Sequence, residues 1–217
     1  MPENNLMAIL KGKPLVDQAV WYRVLKLYDL NKRRWTRSAA EKCGEYLVNY
    51  DNNLVNYAEN YRGQKRDWDK ELDNLKDAII KQGIVVKLQG FNCLAVIPAE
   101  DMVAWARALG ALLAVELKTA QIRRFLGAIL EAEVEVKKEK PEDFTKDQAA
   151  YLKVYLAYAT GRNAAVLPLL TVIEPMIDLV RPRGREGWED FNELVRFVRA
   201  VVAYHKFYGG TEYSKGR

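Results

Sequence analysis

The chain has 217 residues, 49% hydrophobic and 29% charged, so it can bury a core and lies far from disordered compositions. Its one histidine, His205, excludes two-histidine metal chemistry, and Cys43 and Cys93, fifty positions apart, match neither a disulfide framework nor metal-ligand spacing. The formal charge of +5 is modest, and no dinucleotide-binding, Walker-type or GxSxG run is present.

No stretch approaches the roughly 18 apolar residues of a membrane helix, and residues 1–10 lack the pattern of a signal peptide. The expectation is a cytoplasmic protein with no membrane contact, no metal and no cofactor. Charge is segregated along the chain. Lys32, Arg33, Arg34 and Arg37 surround Trp35; Arg181, Arg183 and Arg185 alternate in a Pro/Gly-containing loop; residues 131–147 hold seven acids and four bases. Separate basic and acidic surfaces suit a protein that touches both a polyanion and protein neighbours, although such runs are usually solvated faces.

The first helix is expected over 15–30, on a stripe of Leu15, Val16, Val20, Val24 and Leu27. Ser38 and Glu41 form a capping box for a second, whose seam runs Ala39, Cys43, Tyr46, Tyr50, Leu54, Tyr57 and Tyr61. After Gly63, Trp68, Leu72, Leu75 and Ile79 repeat the spacing, so the two can pair as a helical hairpin. β-Branched Ile84, Val85 and Val86 and the turn around Gly90 suggest a short β-hairpin over 84–97; a continuous helix is the alternative, disfavoured by Gly83, Gly90 and Pro98. A domain boundary is placed there, between 1–97 and 98–217.

Beyond it, five helices are expected. The first, from Pro98 to Val115, displays Met102, Trp105, Leu109 and Leu113; the second, capped by Thr119, displays Ile122, Phe125 and Ile129. A third starts at a Thr145/Gln148 capping box and ends near Gly161 as a left-handed cap; a fourth spans 163–180 with Pro168 and Pro175. The last, 188–208, stops at Gly209 and Gly210, burying Phe191, Leu194, Val195, Val198, Val202 and His205 while Arg196, Arg199 and Lys206 share another side. The fold class is therefore mainly α, a helical bundle.

Three blocks carry a resemblance: 117–125 (LKTAQIRRF), 155–162 (YLAYATGR) and 202–210 (VAYHKFYGG). Together and in this order they resemble the small subunit of type III-A CRISPR (Csm) effector complexes, over about residues 98–210; residues 1–97 read as an N-terminal extension that shorter members lack. The resemblance implies a non-catalytic scaffold in antiviral defence, stacked in several copies beside guide (CRISPR) RNA and target RNA, next to the backbone and large subunits. It carries over Lys118, Arg123, Arg124, Arg162 and Lys206 as RNA-binding residues. Charge and spacing add Arg196, Arg199, Arg181, Arg183, Arg185, Arg33 and Arg34. A duplex whose sequence changes with every guide must be held by its backbone and shape, which lysine and arginine do without reading bases.

Plainer readings stand beside these. Arg123 and Arg124 could be a solvated helix face, Arg162 a stabiliser of its helix end, and Tyr204, Phe207 and Tyr208 bundle packing. His205 reads as a packed core residue rather than a catalyst. The other functional classes are a helical protein-interaction scaffold that uses the 39–61 seam and no nucleic acid, and a carboxylate-metal nuclease, for which nothing positive argues.

Overall fold

The computed structural model describes residues 6–29, 34–35 and 52–209. The Ser38/Glu41 capping box, the seam as far as Tyr50, Cys43, Lys32, Arg33, Arg37 and Gly210 lie outside the described residues. Two short helices open the fold, α1 (Leu6–Leu10) and α2 (Leu15–Lys26). A two-residue antiparallel ladder follows, β1 (Tyr28–Asp29) with β2 (Arg34–Trp35), Tyr28 opposite Trp35. Then come α3 (Asn52–Asn60), α4 (Lys65–Ile80), α5 (Ala99–Glu116), α6 (Thr119–Val136), α7 (Asp147–Arg162), α8 (Leu167–Asp178) and α9 (Gly184–Phe207). The architecture is a helical bundle, as the apolar spacing requires.

Helix α5 is the centre. Met102, Trp105, Ala106 and every residue from 108 to 114 are buried, so neighbours must cover it on several sides. Helices α2 and α9 pack against it most extensively. Gly110 faces α9: a Cβ there would stand 2.7 Å from Tyr204 Cβ, 2.9 Å from His205 N and 3.0 Å from Val201 O. Glycine is the residue that lets these two helix backbones approach. Leu112 and Ala108 point roughly the opposite way on a 100° wheel and are equally buried. One apolar cluster runs from Leu6 to Tyr208 without a break at residue 97. At the joint between the N-terminal helices and α5, the Tyr22 hydroxyl donates to the Glu116 carboxylate, which also receives Lys76 Nζ at 3.2 Å.

The β-hairpin expected over 84–97 is not formed. Helix α4 continues through a π turn (Lys81–Val85) into a helical turn (Val86–Leu88), and Leu94–Val96 is a 3-10 turn. Ile84 and Leu88, four apart, are both fully buried, so core burial at helical spacing overrides the strand preference of β-branched residues. Gly83 is no breaker either; a Cβ there would meet Leu15 Cδ1 at 2.3 Å, so it marks a close approach.

The helix ends also differ from expectation. Thr119 lies inside α6, whose N-cap is Lys118, with Gln121 Oε1 accepting the Lys118 N–H at 3.1 Å. Thr145 is not a cap: it lies in an isolated bridge opposite Arg183, closed by Lys146 N–H to the Pro182 carbonyl and Gly184 N–H to the Phe144 carbonyl. Its hydroxyl donates to Asp147 Oδ2 at 3.1 Å, and α7 starts only at Asp147. Gly161 keeps helical geometry, and Asn163 follows the end of α7, its side chain accepting the Ala165 N–H at 3.1 Å to start a 3-10 turn. Helix α9 begins at Gly184, four residues before Trp188, where φ of +71° turns the chain. Gly209, at φ +76°, follows its end. Val202 is half-buried, and Val201 takes the core position instead.

Candidate nucleic-acid interface

The three blocks that stand apart in sequence meet at one end of the bundle. His205, near the end of α9, is fully buried, and its Nε2 lies 2.8 Å from the Leu117 carbonyl at the α5–α6 junction. A carbonyl can only accept, so Nε2 carries the hydrogen and Nδ1 is a bare lone pair, without a partner among the described residues. Burial pushes the imidazole below its ordinary pKa and keeps it neutral. This bond anchors the third block to the first and leaves the exposed Lys206 and Lys118 each one residue from the shared contact.

The first block meets the second across a groove of about 270 Å³ between α6 and α7. Leu117, Phe125, Leu156 and Leu169 form its buried floor, and Arg124 and Arg162 stand at its walls, each exposed. The Phe125 and Tyr155 rings stack, 6.3 Å between centroids. Arg162 lies over the Tyr158 ring, 5.7 Å from its centroid, and its Nη1 donates to the phenol oxygen at 3.4 Å. No carboxylate lines this groove. Two cations on one groove with no carboxylate in its lining, Arg162 held over the Tyr158 ring, suit a phosphate. Arg123, one residue from Arg124, is exposed on the outer side of α6.

The other basic candidates lie elsewhere. Helix α9 has 24 residues, about 36 Å at the helical rise, so Arg181 and Arg183 before its start and Arg185, which lies in its first turn and not in a loop, are at the far end from Lys206. There the Arg181 fork is directed inward, onto the fully buried Asp190, while Arg183 and Arg185 are exposed. Asp190 also accepts the N–H of Ala95 at 2.8 Å and that of Arg181 at 3.1 Å. Two-thirds of the way along α9, Arg199 reaches Glu133 of α6 at 2.6 Å, a carboxylate that Lys137 also holds at 2.7 Å. Arg196 pairs with Glu193 one turn back. The backbone of Arg34 lies in β2, and Arg33 is outside the described residues. Thus Lys118, Arg124, Arg162 and Lys206 share one end of the molecule, and Arg183 and Arg185 the other.

Helix α7 also bares apolar surface. Tyr151, Val154 and Tyr158, at spacings of three and four, are 70%, 66% and 64% exposed, beside an open groove that includes Val134 of α6. Charge separation along the sequence would not have found this stripe; the pattern of α7 alone, apolar on more than one side, is the signal that could have. Among the described residues no group of three His, Cys, Asp or Glu could hold a metal ion, and no helix is long and apolar enough to cross a membrane.

Comparison with known proteins follows the same residues. The model of the Csm2 type III-A family matches residues 97–211. The chain is similar to the CRISPR system Cms protein Csm2 of Streptococcus thermophilus, 33% identical over 96 residues, which are 44% of this chain and 76% of that protein. It is also similar to the CRISPR system Cms protein Csm2 of Enterococcus italicus, 34% identical over 65 residues, 29% of this chain and 45% of that protein. No solved structure matches. The match spans more than half of the chain and contains all three converging blocks, so this chain belongs to the Csm2 family of type III-A CRISPR systems.

Proposed function

We infer that the protein is a non-catalytic scaffold subunit of a type III CRISPR ribonucleoprotein effector, holding guide and target RNA by their phosphates while it stacks against other copies and against the backbone and large subunits. The observation that supports it most is the convergence of Arg124 and Arg162, from two helices and two separate blocks, on one groove without a carboxylate. Lys118 and Lys206 extend the same end, and Arg123 extends it along α6. Such a surface binds a polyanion whatever its sequence, and strong salt dependence follows from counterion release.

Tyr151 and Val154, bare on α7 away from the basic groove, support the protein contacts in this reading, since exposed apolar patches commonly mark interfaces. A scaffold that binds proteins alone through the 39–61 seam has less support, because Leu54 of that seam is buried in the chain's own core and Tyr57 and Tyr61 pack against it. Residues 1–97 read as an extension built onto the family bundle at α5.

The test replaces Arg124 and Arg162 with Ala, singly and together, and measures RNA binding by the full chain across salt concentrations. The expected result is weaker binding to all sequences alike, with the salt slope reduced by about one for each phosphate that is no longer neutralised. Unchanged affinity and slope in the double variant would refute the assignment.

A further inference from the structure

The α6–α7 groove carries more than charge, and what it carries rests on the RNA-binding reading above. Its polar rim presents donors. Gln121 Oε1 is already engaged by the Lys118 N–H, and Asn163 Oδ1 by the Ala165 N–H, so each amide has its NH2 group left to offer. Arg124 and Arg162 can only donate. The remaining walls are flat and apolar, with Tyr155 backed by the Phe125 ring and Tyr158 left 64% exposed beside Arg162. The occupant must therefore bring acceptors, negative charge and a planar face of its own.

We propose that the groove receives one unstacked nucleotide of an RNA strand, its base against the Tyr158 and Tyr155 rings and its phosphate between Arg124 and Arg162. The size agrees, since about 270 Å³ lies just below the roughly 300–1,000 Å³ found for small-ligand pockets. Stacking on an aromatic side chain tolerates any base, because every base has a π face, so the site keeps the sequence independence that a guide-programmed complex requires. A base held inside a helix cannot reach it, so the groove discriminates single-stranded or extruded nucleotides from duplex.

The experiment compares the full-length wild type with Tyr158→Leu, Tyr158→Phe and the Arg124→Ala/Arg162→Ala double variant. Each is titrated against a single-stranded RNA carrying one 2-aminopurine, the same strand in a duplex, and adenosine monophosphate. Tyr158→Leu is expected to weaken single-strand binding by about 5- to 150-fold, to abolish the 2-aminopurine fluorescence change, and to leave duplex binding alone. Tyr158→Phe, which keeps the ring, behaves as wild type. If Tyr158→Leu binds single strands as tightly as wild type while the arginine variant weakens single strands and duplex alike, the nucleotide pocket is wrong and the phosphate surface stands. If the arginine variant also binds as wild type, the RNA reading itself has failed. Adenosine monophosphate bound as tightly as the strand would overturn the assignment to RNA in favour of a free nucleotide.

Discussion

The guanidinium of Arg181 closes on the carboxylate of Asp190, Nε to Oδ2 at 2.7 Å and Nη2 to Oδ1 at 3.3 Å, in a pair whose acid is wholly buried. The same carboxylate ties the 94–96 turn to α9 through Ala95, so one side chain fastens two loops to the last helix. Removing Asp190 leaves Arg181 able to reach water, but it strips the N–H groups of Ala95 and Arg181 of their acceptor. Asp190→Ala is expected to lower stability by about 1–3 kcal/mol for each N–H left unpaired, in urea denaturation, whereas Arg183→Ala and Arg185→Ala stay within about 0.5 kcal/mol of wild type. Equal, small losses in all three would mean that Arg181 is as free as its neighbours.

Helix α5 meets α9 at backbone distance, and Gly110→Ala tests that closeness. The added methyl would press on Val201 O and His205 N, atoms that cannot swing aside. A loss of about 1–3 kcal/mol is expected, as for other overpacked cores. Gly127→Ala, whose Cβ would meet nothing within 4 Å, serves as the control and should be neutral or stabilising. Indistinguishable melting curves for the two variants would show that the seam has slack.

His205 makes stability depend on pH in a predictable direction. Its folded-state pKa is depressed by burial, so below about pH 6.5 the unfolded chain takes up a proton that the folded chain refuses. The contribution of the neutral ring is complete above that pH and is lost as the pH falls toward the depressed folded value. Between about pH 7 and pH 5 stability should drop by up to about 1.4 kcal/mol per pH unit, and His205→Gln should flatten this part of the curve. The same slope in both proteins would assign the effect to other groups.

Tyr22→Phe probes the joint between the N-terminal helices and the family bundle. Burial and the Glu116 charge push the Tyr22 phenol well above its ordinary pKa, so it remains a donor at any working pH. Deleting a hydrogen bond to a charged group costs about 1.5–3 kcal/mol; here Lys76 stays on Glu116, which favours the lower end. A change below about 0.5 kcal/mol in chemical denaturation would show the bond to be idle.

The helices from α4 onward were legible in sequence because their apolar residues recur at three and four. Their ends were less so. Thr145 looks like a cap in one dimension, but it sits in a bridge opposite Arg183, nearly forty residues on, and its hydroxyl goes to Asp147. Ile84 to Val86 look like strand because nothing local shows that Ile84 and Leu88 face one core. The basic residues divide in the same way. Arg181, Arg183 and Arg185 are equivalent in an alternating loop until the burial of Asp190 singles out the first. Arg199 reads as a surface cation until Glu133, 66 positions away, is found beneath it. The Arg124–Arg162 groove was visible only through the family blocks, and its carboxylate-free lining depends on side-chain directions that spacing cannot give.

The Gly110 contact has a mechanical consequence. It indexes the register of α9 at Val201 to His205, close to the groove end, and leaves no freedom there to slide or turn. A residue inserted or deleted between 191 and 200 would therefore be absorbed upstream, rotating the start of the helix by about 100° and shifting it by about 1.5 Å. The cost would fall on the Asp190 clamp and on the bearing of Arg183 and Arg185, while the groove kept its shape. The length of α9 is thus the setting that fixes how the two basic ends of the molecule are phased about one axis.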